Sequence, residues 1–247
     1  MTASAGAQLG LWPDSGTTGM AWQVRTSARA RRLSARVFPG GRVEIVVPPG
    51  TRPVSVQHFV TRHRSWIDRK VAEHRALGAD DGEALPEAIH LRATGERWQL
   101  RCVDAPGAPR LLADTGCLLL RGELSRTALA RHALQRWLLR TAHQVLVPRL
   151  AATAADCGLA YSRAQVRRQR TRWGSCSRRG TISLNACLVF QSPEVLRYLL
   201  VHELAHTRHM DHSSRFWALV AALEPDWRAL DRELGRGWHH VPAWVLR

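Results

Sequence analysis

Residues 192–217 read SPEVLRYLLVHELAHTRHMDHSSRFW, and this stretch is the most informative one for the fold. It opens as helices do, because Ser192 offers a capping hydroxyl and Pro193 fits a first helical turn. Glu194 then lies near the positive end of the helix dipole. The pattern predicts a helix here and a second helix that begins at the serine pair 213–214.

The first of these helices carries the motif His202-Glu203-Leu204-Ala205-His206. Residues four apart lie on one face of a helix, so the two imidazoles can converge on one ion. Glu203 projects from the adjoining position and can reach a water on that ion without binding the ion itself. The motif therefore predicts a hydrolytic zinc site, with His202 and His206 as ligands and Glu203 as the catalytic base.

A third ligand must come from one of four nearby residues, His209, Asp211, His212 and Glu224. If the helix continued, His209 would lie ~10 Å along its axis from His202, too far to share an ion. His212 has the spacing of the pattern H-E-x-x-H-x-x-G-x-x-H, although a histidine replaces its glycine. We predict His212 as the ligand, with Glu224 as the alternative and Asp211 as a supporting or capping group.

The second helix is expected to hold the His212 segment beneath the first one. Its apolar face is formed by Phe216, Trp217, Val220 and Leu223. Aromatic residues in such positions are more often core anchors than substrate contacts. We therefore interpret Phe216 and Trp217 as core residues.

The composition is that of an ordinary soluble protein, with 45% hydrophobic and 23% charged residues in a chain of 247. No apolar run is long enough to span a membrane, and the first twenty residues lack the pattern of a secretory signal. Five cysteines without a C-x-x-C pair indicate reduced thiols. We therefore expect a cytoplasmic protein with no membrane partner.

A formal net charge of +16 raises the possibility of a nucleic-acid partner. Lys70 is the only lysine, however, and every other basic residue is arginine. That preference suits the codon usage of a GC-rich genome as well as it suits phosphate contacts, and the charge is spread along the chain. A generally basic surface is therefore favoured over a nucleic-acid site.

The chain divides into a β-rich half and a helical half, which predicts an α+β fold. We expect a disordered leader over residues 1–21, a β-rich subdomain over 22–124 and a catalytic domain over 125–247. The first half begins with strands in which apolar residues occur at every second position. A helix over 54–70 and a linker over 78–86 follow. Its later strands are expected at 89–92, 98–103 and 117–120.

The helical half begins with a long helix over about 125–156. Pro148 is expected to kink or divide it, and Gly158 to end it. Residues 164–190 are predicted to form a β-hairpin whose return strand alternates up to Phe190. This hairpin directly precedes the helix of the histidine motif.

At this point the sequence resembles the YgjP-like zinc-dependent metallohydrolases, which are related to SprT and WLM-type minimal gluzincins. The resemblance is carried by four segments, RWGSCS at 172–177, ISLN at 182–185, HELAH at 202–206 and HSSRFW at 212–217. It implies a zincin-like core made of a helix, a β-hairpin, the histidine-motif helix and a closing helix. It also matches His202, His206 and His212 to zinc ligands, one ion per chain, and Glu203 to the base.

The activity that this resemblance implies is that of a metallopeptidase, which cleaves a polypeptide with a zinc-bound water activated by Glu203. The alternative is a nucleoside triphosphate (UTP-type) pyrophosphatase acting on a nucleotide at the same metal, since that activity has been attached to the family. A third class is a nucleic-acid-associated protease, which would need a basic patch next to the site.

Substrate contacts are predicted for Arg172, Trp173 and Ser175. Their segment can be interpreted as a strand edge whose glycine allows close approach to the metal helix. It can equally be interpreted as a strand that pairs with an extended substrate. Arg172 suits the binding of a carboxylate or a phosphate.

Overall fold

The structure is a computed structural model that describes residues 22–28, 30–38, 41–76 and 85–246. The chain forms two compact units, Met1–Asp80 and Asp81–Arg247. The expected leader over 1–21, and all of the expected linker except residues 85 and 86, lie outside the described residues. Helices and small sheets occur in both units, which confirms the predicted α+β fold class.

The first unit is a three-stranded sheet with two helices. Its strands are β1 (Trp22–Thr26), β2 (Ser34–Val37) and β3 (Val43–Val47), and β3 lies between a parallel β1 and an antiparallel β2. Apolar residues of β3 and of the helices α1 (Pro53–Arg62) and α2 (Arg64–Ala76) form its core.

The helix predicted over 54–70 is thus two helices, separated at His63. The His63 ring contacts the carbonyl oxygen of Phe59 through Nδ1 at 2.8 Å, while the His63 backbone leaves helical geometry.

The second unit begins with four strands, β4 (Ala88–Leu91), β5 (Glu96–Asp104), β6 (Arg110–Asp114) and β7 (Cys117–Gly122). They form one sheet in the order β4-β5-β7-β6, with β5 and β7 parallel. The domain boundary expected at 124/125 lies within this unit. Leu118 of β7 is buried in the same core as the helix that follows.

That helix, α3 (Thr127–Cys157), runs for 31 residues and forms the centre of the core. Pro148 lies inside it and does not divide it, while Gly158 ends it with a left-handed backbone (φ 63°), as predicted. Its buried face includes Leu134, Leu138, Leu146 and Leu150.

A second small sheet lies between α3 and the histidine motif. It consists of β8 (Arg163–Arg167), β9 (Gly174–Cys176) and β10 (Thr181–Asn185) in the order β8-β10-β9, with β8 and β10 parallel. The hairpin predicted over 164–190 is therefore only β9 with β10, and β8 joins it as a separate strand.

The predicted return strand is also shorter than expected, because a buried 3₁₀ helix, Ala186–Phe190, replaces its second half. The Asn185 side chain starts this turn by accepting a hydrogen bond from the Cys187 N–H, while its amide donates to the carbonyl oxygens of Gln169 and Arg172. All five residues of this 3₁₀ helix are apolar and buried, so apolar residues at every second position do not distinguish it from a strand.

The last part of the chain is helical, with α4 (Pro193–Ala205), α5 (Ser214–Leu223), α6 (Trp227–Arg236), a 3₁₀ helix (Gly237–His240) and α7 (Ala243–Leu246). As predicted, the Ser192 hydroxyl caps α4, accepting from the Val195 N–H at 3.3 Å. Within the described part of the chain, no helix is both long and apolar enough to cross a membrane.

Leu138→Ala tests whether α3 is the centre of this core. Because Leu138 is completely buried, we expect the substitution to lower the free energy of unfolding by about 2–5 kcal/mol. Leu129→Ala, on the same helix but 44% exposed, should change it by no more than about 0.5 kcal/mol. Urea denaturation followed by circular dichroism compares them, and equal losses would contradict the assignment.

Candidate active site

Three histidine rings meet at the end of α4. His202 lies in its last turn, His206 directly follows its last residue, and His212 comes from the turn before α5. One ring nitrogen from each lies within 4.8 Å of the other two, and the Nε2 atoms of His202 and His212 are 3.2 Å apart. Helix α4 ends early enough for His212 to fold back onto the histidine pair.

This donor set fits a zinc ion. Imidazole nitrogens bind zinc at about 2.0–2.1 Å in tetrahedral geometry, which places two ligand nitrogens about 3.3 Å apart. The spacing between His202 and His212 agrees with that value. Among the described residues, these three form the only group of His, Cys, Asp or Glu side chains with such convergence.

The ring of Phe216 packs against all three histidine rings. It is completely buried, stacks on His206 at 4.5 Å between centroids, and meets His202 and His212 edge-on at 5.0 and 4.8 Å. Trp217 stacks in turn on Trp227 of α6 at 4.3 Å. Phe216 is therefore a core residue, as predicted, whereas Trp217 is only half-buried and lies against the rings of His202 and His212.

Glu203 points from α4 towards β9. This residue is 4% exposed, and its Oε2 atom has no hydrogen-bond partner within the described part of the chain. A Cβ at Gly174 would lie 2.8 Å from the Cγ and Cδ of Glu203, so only glycine leaves room for this carboxylate. Burial raises the pKa of Glu203 to about 8, against the opposing charge of Arg172.

The outward-facing nitrogens of the two helical histidines have partners. His206 Nδ1 lies 3.1 Å from the backbone oxygen of His209. His202 Nδ1 lies 3.5 Å from the hydroxyl of Tyr198, which donates to Asp231 Oδ1 at 2.8 Å. Burial lowers the pKa of His202 to about 3, so this ring is neutral at physiological pH, as a metal ligand must be.

Tyr198 and Asp231 were not anticipated from the sequence. Tyr198 precedes His202 by four residues, so helical spacing alone places it on the same face. Asp231 comes from α6, and no local pattern indicates that contact.

The other candidates for the third ligand have different partners. The His209 ring is not part of the triad, and only the backbone of this residue contacts His206. Glu224 forms an ion pair with Arg197 at 3.3 Å. Asp211 precedes α5 and is exposed, and its interaction with Ser213 holds its pKa below the usual range.

The predicted substrate contacts lie in different environments. Arg172 is exposed, and its charge acts on Glu203. Ser175 is half-buried on β9, opposite Ser183 of β10. Trp173, in contrast, is only 9% exposed and stacks on Trp238 at 4.3 Å, so its ring packs in the core.

The fold and this histidine site together define the class of metal-dependent hydrolases built on an H-E-x-x-H helix. The family model described as "YgjP-like, metallopeptidase domain" matches residues 31–236, so the chain belongs to the YgjP-like family, as its sequence motifs indicated. It is therefore a metallopeptidase by family, with a metal and a polypeptide substrate implied.

Among solved structures, the chain is similar to the metallopeptidase zymogen of Pyrococcus abyssi abylysin. The identity is 25%, over 34% of this chain and 87% of that chain, and the TM-score is 0.32, too low to support a statement about shared architecture. No curated protein sequence matches the chain.

Gly174→Ala tests the close approach of β9 to Glu203. The added Cβ would press on the Glu203 side chain, so we expect the free energy of unfolding to fall by about 1–3 kcal/mol. Gly235→Ala is the matched control, because its Cβ would meet nothing within 4 Å in helix α6 and should stabilise by about 0.5–1 kcal/mol. Urea denaturation measures both, and a neutral Gly174→Ala would refute the contact.

Stability of the metal-free protein should depend on pH through Glu203. Because its pKa rises on folding from 4.5 to about 8, the folded state holds the proton more tightly and loses stability as pH rises through that interval. Glu203→Gln removes this loss. We expect the variant to gain stability over wild type at pH 8.5 and to differ much less at pH 5, as measured by urea denaturation after chelation.

Proposed function

We propose that this metallopeptidase holds one zinc ion per chain through His202, His206 and His212, and that Glu203 is its general base. The single observation that carries the proposal is the convergence of three histidine nitrogens beside a buried carboxylate. The family supplies the reaction class and a metal, and the donor set favours zinc because neutral imidazoles suit that ion.

When bound, zinc supplies Lewis acidity, which makes water acidic near neutral pH and polarises a carbonyl oxygen. The protein's own contribution begins with the neutral state of the ligands, since burial lowers the pKa of both His202 and His206. Neutral ligands leave the full positive charge of the ion available to the reaction.

Glu203 moves the proton in this proposal. The Oε2 atom has no hydrogen-bond partner among the described residues, so it is available to accept a proton from the attacking water. The same carboxyl then donates that proton to the amide nitrogen of the leaving peptide. A carboxyl pKa raised by burial suits both steps, because the group can take up and release a proton near neutral pH.

Strand β9 provides a place for the substrate chain. It is an outer strand of its sheet, paired on one side with β10, and its Gly174 directly contacts Glu203. An extended peptide that pairs with the open edge would lie beside the catalytic carboxylate. Arg172 and Ser175, at either side of Gly174, are the proposed substrate contacts, whereas the buried ring of Trp173 supports the strand from behind.

Hydrolysis of nucleotides has no comparable support. Of the arginines before β9, Arg168 donates to Gln135 and Arg167 donates to Gln165 at 2.7 Å, so these two have protein partners. We therefore retain a polypeptide as the partner.

All five cysteines are free thiols, which supports the proposed cytoplasmic location.

Glu203→Gln tests the role of the base. Because a general base typically contributes about 10²–10⁴-fold, we expect peptide hydrolysis to fall by at least about 10²-fold while zinc content stays at one per chain. Cleavage of unfolded protein, with metal content by mass spectrometry, measures both. If Glu203→Gln cleaved peptides as fast as wild type, Glu203 would not be the general base.

His212→Ala tests the third ligand, and His209→Ala is its matched control. We expect loss of zinc only for His212→Ala, because the His209 ring is not among the converging nitrogens. If only His209→Ala lost zinc, His209 rather than His212 would be the third ligand.

A further inference from the structure

We propose that Tyr198 and Asp231 position His202 for the metal by fixing which of its ring nitrogens carries the proton. The inference rests on the proposed zinc site and adds two positioning residues to it. Neither residue binds the ion or touches the substrate. They act through the ring of His202.

The contact begins with a buried hydroxyl. Tyr198 is completely buried in α4, one helical turn before His202. Its hydroxyl donates to Asp231 Oδ1 at 2.8 Å, and the same oxygen lies 3.5 Å from Nδ1 of His202. Packing explains the aromatic ring at this position, since phenylalanine would fill the same space. The hydroxyl and its two polar contacts are what require a further explanation.

The direction of each hydrogen bond follows from the number of protons. A tyrosine hydroxyl has a single proton, and Tyr198 donates it to Asp231 Oδ1, so that proton lies between these two side chains. The hydroxyl oxygen therefore faces His202 with lone pairs alone. A neutral imidazole has one N–H, and the contact is favourable only when that N–H is on Nδ1.

With the proton on Nδ1, the Nε2 of His202 keeps a free lone pair. This is the nitrogen that lies 3.2 Å from His212 Nε2, inside the proposed metal site. His206 follows the same logic with a different acceptor, since its Nδ1 can donate only to the backbone oxygen of His209. Each of the two helical ligands thus has its proton placed on the side away from the ion.

The two acceptors differ in what they connect. The His209 carbonyl belongs to the turn after α4, so it couples His206 only to its own segment. Asp231 lies on α6, so the hydrogen bond that it accepts from Tyr198 connects this contact to a second helix. The chain from Asp231 through Tyr198 to His202 therefore orients a ligand from outside the histidine motif.

Zinc affinity of the full-length protein, measured by competition with a chromophoric chelator, tests this positioning. Residues that support a metal ligand typically contribute about 10–100-fold to affinity, and we expect that loss for Tyr198→Phe. Tyr161→Phe is the matched control, because Tyr161 is the only other tyrosine and is not among the residues that contact the histidines. It should bind zinc as wild type does.

Two further variants separate the positioning of His202 from the packing of the Tyr198 ring. They are Asp231→Ala and the double variant that combines Tyr198→Phe with Asp231→Ala. Asp231 is exposed on α6, so its substitution leaves the core intact. We expect Asp231→Ala alone to weaken zinc binding, and the double variant to bind no more weakly than Tyr198→Phe, because the carboxylate acts only through the hydroxyl. Thermal unfolding of the metal-free variants reports any general loss of stability separately.

The outcomes are distinct. Wild-type affinity in Tyr198→Phe, or strictly additive losses in the double variant, overturns the positioning role and leaves the proposed zinc site standing. If Tyr198→Phe does not fold, unchanged zinc affinity in Asp231→Ala overturns it alone. Wild-type protein that binds no zinc overturns the proposed function, and the inference with it.

Discussion

The packing of one aromatic ring, that of Phe216, is the interaction on which the site depends. Three imidazoles must lie within one small volume, and neutral polar rings gain little by meeting there without support. Phe216 contacts each of them and is itself completely buried, so the core of the second unit fixes their distances. The geometry of the proposed metal site is in this sense a consequence of hydrophobic packing at the start of α5.

The second constraint is the narrow space between α4 and β9. Gly174 admits the Glu203 carboxylate because it has no side chain, and Trp173 and Trp238 stack behind the same strand. A peptide in the proposed position would lie on this strand beside Glu203. The proposed substrate position and the burial of Glu203 therefore both depend on the contact between β9 and α4.

The sequence was most informative where a local pattern decides the structure. The cap at Ser192, the stop at Gly158 and the family motifs all depend on neighbouring residues, and all three were correctly predicted. The 3₁₀ helix after Asn185 was missed because its residues are all apolar, and a continuous apolar run also fits a buried strand. Strand β6 was missed because its Arg-Leu-Leu-Ala-Asp sequence has no period of two. The contact of Tyr198 with Asp231 depends on tertiary packing, which no local pattern shows.

The position of His206 links the proposed metal site to the end of α4. His206 caps the helix, and terminal turns are the first parts of a helix to unfold locally. Fraying of that turn would carry His206 away from His202, so opening of the helix end and release of the ion would be one event. The lifetime of the bound metal would then report the local stability of α4, which links the exchange kinetics of the ion to the folding of a single helical turn.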